Sequence, residues 1–506
     1  MRTGRGIWTV EEARAADRQA VEIGLSDAAL LGVAGFQVAR FVRAEMPRGA
    51  VVVVAGPGSN GGDGWVAAQH LAHDRPVSVI PAAAPRFAGA DGWVKAARAA
   101  GVEVVTGQQA ESALDQAAVV VDALFGTGFR GRVSDRSSGE WLDQLARRHV
   151  PVLAVDVPSG VNADTGAYDG PPVPWSAVLT MGQAKWGLLG YPAAGLVDQV
   201  TVADIGLPVQ TGSASSGCWV TPERAQNWFP ESGRLDHKYR RGRVLVVGGC
   251  RSMPGAPVMA ALAALKAGAG LVELVLPGSA RGRVALAPTL IVHDGEESAS
   301  GSLRWGPVLQ QRVAAADAIV FGPGLGPEGD AHLLDGLIAS GKPVVLDADG
   351  IRLLARLGRR VPDHWGLTPH AAELGALLGQ PASAVNADRR QALTQAAQQV
   401  GGTILLKGRF TLVAARDLMW ANPTGDASLA TAGSGDVLAG IAGRLLAAGL
   451  DTGKALALAA YWHGWAGELG GAAEGLITAA DLVDWIGPAA QAVRDARPPH
   501  SVRWWS

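Results

Sequence analysis

The sequence predicts an α/β protein built from two doubly wound domains. Three observations carry that expectation. Short β-branched runs recur along the whole chain between longer stretches rich in alanine and leucine. These runs are continuously apolar rather than alternating, as a parallel sheet covered on both faces requires. Finally, 506 residues are too many for one ordinary domain and enough for two sizeable cores.

Taken in order, the strand candidates of the first half are AVVVVAG from Ala50, PVSVIPA from Pro76, VEVV from Val102 and AVVVDAL from Ala118. VPVLAVDVP from Val150, WSAVLTMG from Trp175 and DQVTVADIG from Asp198 follow. Between them, GWVAAQHLAH and SSGEWLDQLARRH have helical spacing and suitable starts. PVQTGSASSGC, residues 208 to 218, is small and polar and reads as a linker. The alternation then resumes with RVLVVGGC, GLVELVLPG, DAIVFGPG, KPVVLDADG, HWGLTPH, GTILLKG and FTLVAAR. A helical run from about Asp436 through Leu456 to Leu469 closes the chain. The expected domains are 1–211 and 212–506.

Apolar residues at 48% and charged residues at 18% describe a globular chain, not a disordered one. A net charge of −2 offers no electrostatic footprint for nucleic acid. The two cysteines, Cys218 and Cys250, have no metal-ligand spacing and cannot build a disulfide framework. The N-terminal MRTGRGIWTVEEARAADRQAVE lacks the apolar core of a signal peptide, and Lys266 interrupts the best candidate for a membrane span. A cytoplasmic protein without nucleic-acid or membrane partner is expected, as is a homo-oligomer.

The chemistry concentrates at strand ends. AGPGSNGGDG, from Ala55 to Gly64, joins an apolar strand to a helix, where free N–H groups can meet an anion. It is neither a G-x-x-x-x-G-K-[ST] loop nor the dinucleotide fingerprint. VVVDALFGTGFRGRV places Asp122 at one strand end and AVDVPSGVNADTG places Asp156 and Ser159 at another. Asn60, Asp122 and Ser159 offer hard oxygen donors suited to an alkali or alkaline-earth cation, with Asp156 as a further carboxylate. A helix cap or loop brace is the rival reading for Asp122. Near the other end, AGSGD precedes the helix VLAGIAGRLLAAG. The N–H groups of Gly433 to Gly435 suit a transferring phosphoryl group, and Asp436 can take the proton of an attacking hydroxyl.

GPGSNGGDG, VDALFGTG, VDVPSGVNADTG and ADIGLP resemble, in order and spacing, the NAD(P)H-hydrate epimerase domain. HKYRRGRVLVVGG, MPGAPVMAALAALKAGAGLV, GPGLG, LDADG, LTPHAAE, LLKGRFT, NPTGDASLATAGSGDVLAGI and HGWAGE resemble the ADP-dependent NAD(P)H-hydrate dehydratase of ribokinase-like fold. The resemblance covers nearly the whole chain. It implies a Rossmann-like epimerase domain followed by a ribokinase-like domain, acting on the hydrates NADHX and NADPHX.

For the first half, the resemblance implies substrate contacts at Ser59, Asn60, Gly61, Gly62 and Asp63. It adds Gly126, Thr127, Gly128, Phe129, Arg130, Gly131 and Arg132. It implies a potassium ion on Asn60, Asp122 and Ser159, with Asp156 catalytic beside the substrate. The family has asparagine where this chain has Ser59, and an acidic MENAG-like helix where it has LGVAG, Leu31 to Gly35. For the second half it implies that Asp436 is catalytic and touches the substrate, with Ala256, Gly322, Gly324 and His370 as substrate neighbours. Lys407, Gly408, Arg409, Phe410, Thr411 and Gly435 would bind ADP, and Asn422 and Asp426 could orient phosphate or magnesium. Gly350 stands where the family has asparagine. Two rivals stay open: an ordinary ATP-dependent kinase of a small alcohol in the second half, and a non-catalytic binding module in the first.

Overall fold

A computed structural model describes residues 5–135, 139–207, 216–231, 233, 237–415 and 418–505. The chain divides into two compact units, Met1–Gly217 with His500–Ser506, and Cys218–Pro499. The boundary expected after residue 211 therefore falls after 217. The last segment also returns: Val502–Trp505 is a parallel strand beside Val197–Ala203 in the first unit's sheet. A four-residue VRWW run after a proline pair carries too little periodicity to announce itself as a strand. Residues 208–215 of the expected linker lie outside the described residues.

In the first unit every expected strand forms. The sheet runs Val502–Trp505, Val197–Ala203, Trp175–Met181, Val152–Val155, Val119–Ala123, Val51–Ala55, Val77–Pro81, Glu103–Val104, parallel throughout. From Val51–Ala55 the chain works outward to one edge, then returns to Val119–Ala123 on the other side. The strand order therefore reverses between these two strands, and a crevice opens beyond their carboxyl ends. Both strands are buried along their whole length, which is why five consecutive apolar residues, not an alternation, encode them.

The second unit repeats this logic. Its strands run Ile291–Gly295, Leu271–Pro277, Arg243–Val247, Ala318–Phe321, Val344–Leu346, Gly366–Leu367, Thr403–Leu406, Leu412–Ala415, Leu418–Ala421. The first seven are parallel and the last two antiparallel. Here the order reverses between Arg243–Val247 and Ala318–Phe321. The closing helical run is three helices, Ser434–Ala447, Thr452–Glu474 and Ala479–Arg494. Small residues let them pack closely: a Cβ on Gly440 would lie 2.2 Å from the Ala260 carbonyl of helix Gly255–Lys266. Among the described residues no helix is long and apolar enough to cross a membrane.

Candidate active sites

At the first crevice, helix Ser59–Leu71 starts after Gly58, which offers no side-chain cap. The first helical bond runs from Gly62 N to Gly58 O at 3.0 Å, so the N–H groups of Ser59, Asn60 and Gly61 precede it. Ser59 itself is exposed. The neighbouring glycines are required by packing. A Cβ on Gly61 would lie 1.8 Å from the Gly56 carbonyl oxygen, and one on Gly62 would meet Leu31 and Phe87 at 2.6 and 2.8 Å. The helix can thus press against the strands and set its N-terminus at their ends.

Asp122 and Ser159 are fully buried and in direct contact. Ser159 Oγ donates to Asp122 Oδ1 at 2.5 Å, and Ser159 N and Trp175 Nε1 donate to Oδ2 at 3.1 and 2.9 Å. Every one of these donors is neutral, and burial pushes the Asp122 carboxyl up despite them. The Phe125 carbonyl oxygen stands 3.2 Å from Ser159 Oγ, so three oxygens converge. Asn60 lies against the neighbouring loop, its Oδ1 3.0 Å from a Cβ placed on Gly126, with its Nδ2 buried and unpartnered.

In the 126–132 loop, Thr127 is half-buried and Gly128, Arg130 and Gly131 are exposed. Phe129 turns inward against Phe125, with ring centroids 5.0 Å apart. Arg132 Nε donates to Asp169 Oδ2 at 2.9 Å, and Arg130 donates to the loop's own carbonyls.

Asp156 occupies a left-handed backbone conformation, φ +67°, which a strand-end carboxylate adopts when its surroundings hold it there. Lys185 Nζ holds it, donating to Asp156 Oδ1 at 2.5 Å, Met181 O at 2.8 Å and Thr180 Oγ1 at 3.1 Å. Asp63 shares this neighbourhood. Burial first, then the carboxylates of Asp156 and Asp17, push it well above the usual carboxylate range, against a downward pull from Lys185. Its carboxyl therefore holds a proton more readily than a free aspartate does.

In the second unit, the crevice gathers the expected substrate neighbours. Gly249 N donates to the Pro323 carbonyl at 2.9 Å. Gly324, at φ +63°, comes so near the Met253–Ala256 turn that a Cβ there would lie 3.2 Å from Ala256 Cβ. Gly322, at φ +117°, closes on Asp347 O and Gly350. A side chain at 350 would press on Phe321 O at 2.9 Å, which explains why glycine suits that position in this chain.

Helix Ser434–Ala447 starts from Gly433, at φ +92°. Its first helical bond is Val437 N to Gly433 O, leaving the N–H groups of Gly435 and Asp436 directed ahead of the helix. Burial first, then Asp347, raises Asp436 to about 7, against a lowering pull from Lys407 and with smaller upward contributions from Asp349 and Glu373. Lys407 Nζ sits 3.2 Å from where a Cβ on Gly435 would be and donates to Asp347 Oδ1 at 3.0 Å.

The turn that follows Lys407 is clamped by the buried Arg389. Its guanidinium donates to the carbonyls of Arg409 and Phe410 at 2.8 and 3.3 Å. Gly408 and Phe410 both take positive φ, +144° and +51°, while the Phe410 ring packs on Trp219. Thr411 Oγ1 donates to Gly408 O at 3.0 Å, and Arg409 points outward.

His370 caps helix Ala371–Leu378, its Nδ1 accepting from Ala372 N and Glu373 N at 3.1 and 3.2 Å. The proton therefore resides on Nε2, on an exposed side chain. Asn422 departs from the expected phosphate or magnesium role, because all its polar atoms are used inside the fold. Nδ2 donates to Thr424 O and Ala460 O, and Oδ1 accepts from Thr424 N and Oγ1. Asp426 is exposed and caps a short turn through Ser428 N at 3.0 Å.

Several site residues escaped the sequence reading: Asp17, Lys185, Asp347, Thr368, Glu373, Arg389 and His463. A lysine inside an apolar run, as in AVLTMGQAKWGLLG, was the available signal for Lys185, since a buried ammonium needs a partner. His463 Nε2 donates to Ser434 O at 2.9 Å and fixes the first turn of helix Ser434–Ala447. Burial lowers its own value to about 4, so it acts as a neutral brace. Glu468, raised to about 7 by burial, holds Gly425 N at 2.7 Å.

Comparison with known proteins agrees with both halves. Residues 27–187 match the family of the YjeF-related protein N-terminus, and residues 244–487 match the NAD(P)H-hydrate dehydratase family. The bifunctional NAD(P)H-hydrate repair enzyme Nnr of Moorella thermoacetica is 34% identical over 471 residues, covering 89% of each chain. The enzyme of the same name from Methanothermobacter thermautotrophicus is 33% identical over 492 residues, covering 93% of each. A solved ADP/ATP-dependent NAD(P)H-hydrate dehydratase from Bacillus subtilis, co-crystallized with ATP/Mg2+, is 27% identical. It covers 55% of this chain and 100% of its own, with a TM-score of 0.48. With both family models matched in one chain and relatives of this identity covering 89% or more of it, the chain belongs to the bifunctional NAD(P)H-hydrate repair enzymes.

Proposed function

We propose that the first unit interconverts the R and S hydrates of NADH and NADPH, and that the second dehydrates the S form at the expense of ADP. The observation that carries this reading is Asp436, a carboxylate raised to about 7 at the mouth of a helix that Lys407 also faces. A base of that strength is matched to a hydroxyl near neutral pH. Asp436 takes the proton of the hydrate's hydroxyl, whose oxygen attacks the β-phosphoryl of ADP and releases AMP. The N–H groups of Gly435 and Asp436 and the Lys407 ammonium receive the phosphoryl charge. Hydroxyl, a poor leaving group, has become phosphate; its departure with a ring proton restores the double bond. Lys407 to Thr411 line ADP, while Ala256, Gly322, Gly324 and His370 line the hydrate.

Magnesium fits as a companion of the nucleotide phosphates. Among the described residues no group of three or more His, Cys, Asp or Glu side chains is placed to hold a metal ion by itself. Potassium fits the first unit, where Asp122 is a buried carboxylate bonded only to neutral donors and oxygens of Ser159 and Phe125 converge. Asn60 would turn its amide oxygen to the same ion, which relieves the unpartnered Nδ2. Potassium there would offset the Asp122 charge and anchor the substrate's phosphate beside Ser59 to Gly61. Asp156, paired with Lys185, and Asp63, whose carboxyl burial raises, then exchange the protons of epimerisation. Both cysteines are free, which supports a reducing, cytoplasmic setting.

The test is stoichiometry. With the full chain, S hydrate and ADP, one AMP and one phosphate should appear per NADH recovered. Formation of a stable phosphorylated alcohol from ATP, without NADH, would instead favour the kinase reading.

A further inference from the structure

Asp347 belongs to none of the functions assigned so far, yet it is the most enclosed charged group in the second crevice. It follows strand Val344–Leu346, its N–H tied to Phe321 O at 3.0 Å, and it is 1% exposed. Thr368 Oγ1 donates to its Oδ1 at 2.7 Å, and Lys407 Nζ donates to the same oxygen at 3.0 Å. The second carboxylate that Lys407 approaches, Glu373 Oε2 at 3.9 Å, is occupied with capping His370 N. Lys407 therefore has one short, aligned partner. That partner aims the ammonium at Gly435: a Cβ there would be 3.2 Å from Lys407 Nζ and 4.0 Å from Asp347 Oδ2. Glycine at 435 leaves the opening through which lysine and carboxylate both reach the mouth of the catalytic helix.

We propose that Asp347 is a positioning residue for dehydration: pinned by Thr368, it parks the Lys407 ammonium at the N-terminus of the Asp436 helix and yields it to the arriving phosphoryl oxygens. A free lysine would give up its rotamer freedom on the way to the transition state; a parked one enters it already placed. The same placement couples three charges. The groups that face Asp436 are Asp347, Lys407, Asp349 and Glu373. Asp347 holds the base's proton on, and Lys407 draws it off. Removing either should move the base in opposite directions, which a purely structural role would not do.

The proposal rests on the assignment of Asp436 as the base, and the experiment separates the two. Full-length protein and its variants are assayed with S hydrate and ADP across pH 5 to 9. If the wild type shows no acid limb at all, the base assignment fails. If it shows one, Asp347→Asn should lower kcat about tenfold with KM for the hydrate unchanged. The limb should also move down by about half a pH unit or more. Lys407→Met should move it up. Asp347→Glu, which keeps the charge and misplaces it, should lose kcat without moving the limb. Thr368→Val leaves every charge in place and should lower kcat alone; it also serves if Asp347→Asn does not fold. An unmoved limb in Asp347→Asn, a limb shifted upward like that of Lys407→Met, or full kcat in Thr368→Val overturns the proposal.

Discussion

Replacing Lys185 by methionine tests the first unit most sharply. The ammonium makes three bonds, to Asp156 Oδ1, Met181 O and Thr180 Oγ1, at 2.5, 2.8 and 3.1 Å. Its side chain is 3% exposed and that of Asp156 13%. Methionine keeps most of the stem's volume and removes the charge, leaving a carboxylate at positive φ beside Asp63 with no cation against it. Stripping one partner from a buried pair costs about 3–5 kcal/mol, and the slight exposure of Asp156 argues for the lower end. We therefore expect about 3 kcal/mol less stability for the first unit in urea unfolding followed by tryptophan fluorescence. Asp156→Asn added to Lys185→Met removes the stranded charge, so the double variant should recover about half of that loss. Both variants should consume R hydrate only as fast as it epimerises spontaneously, with S hydrate dehydrated normally. A loss below about 1 kcal/mol, or strict additivity in the double variant, would refute the pairing argument.

In the second unit, Asp436→Asn should reduce dehydration about a hundred- to ten-thousandfold with nucleotide binding retained, since it removes a general base and not a phosphate ligand. For the wild type the sign follows from the raised carboxyl. The base works when ionised, so dehydration falls as pH drops through about 7 and levels off above it; a flat profile from pH 5 to 8 would sink the assignment. Exchanging potassium for tetramethylammonium at constant ionic strength should slow epimer exchange and leave dehydration of S hydrate alone. Asp122→Asn should have the same effect, and equal exchange rates in both salts would remove the ion from the account. Gly61→Ala places a Cβ 1.8 Å from the Gly56 carbonyl and should destabilise the first unit by about 3 kcal/mol in the same urea assay; a neutral result would return that glycine to the ligand.

What the sequence revealed, and what it hid, follows from the range of each interaction. Val51–Ala55 and Val119–Ala123 were legible because strands buried on both faces must be apolar at every position. Asp436 was legible because its glycines, its carboxylate and the helix they open are contiguous. Lys185 and Asp156 are 29 residues apart, and Lys407 and Asp347 are 60 apart. No spacing rule links such pairs; only the fold brings those strand ends together. The glycines of AGPGSNGGDG show the converse. The resemblance assigned Gly61 and Gly62 to the substrate, but the space a side chain would take at Gly56, Gly61 and Gly62 is filled by neighbouring backbone and side chains, and Gly58 alone in the loop faces open space. Trp504 and Trp505 escaped altogether, because a short strand that returns to an earlier sheet leaves no local signature.

The central claim is that one chain recovers both epimers of a hydrated cofactor. The direct measurement is the return of NADH absorbance from a mixed R and S preparation, with the full chain and ADP. Recovery should pass beyond the S fraction faster than spontaneous epimerisation allows, and should stop at the S fraction in Asp156→Ala. Recovery halting at the S fraction in the wild type, or none with ADP, would contradict it.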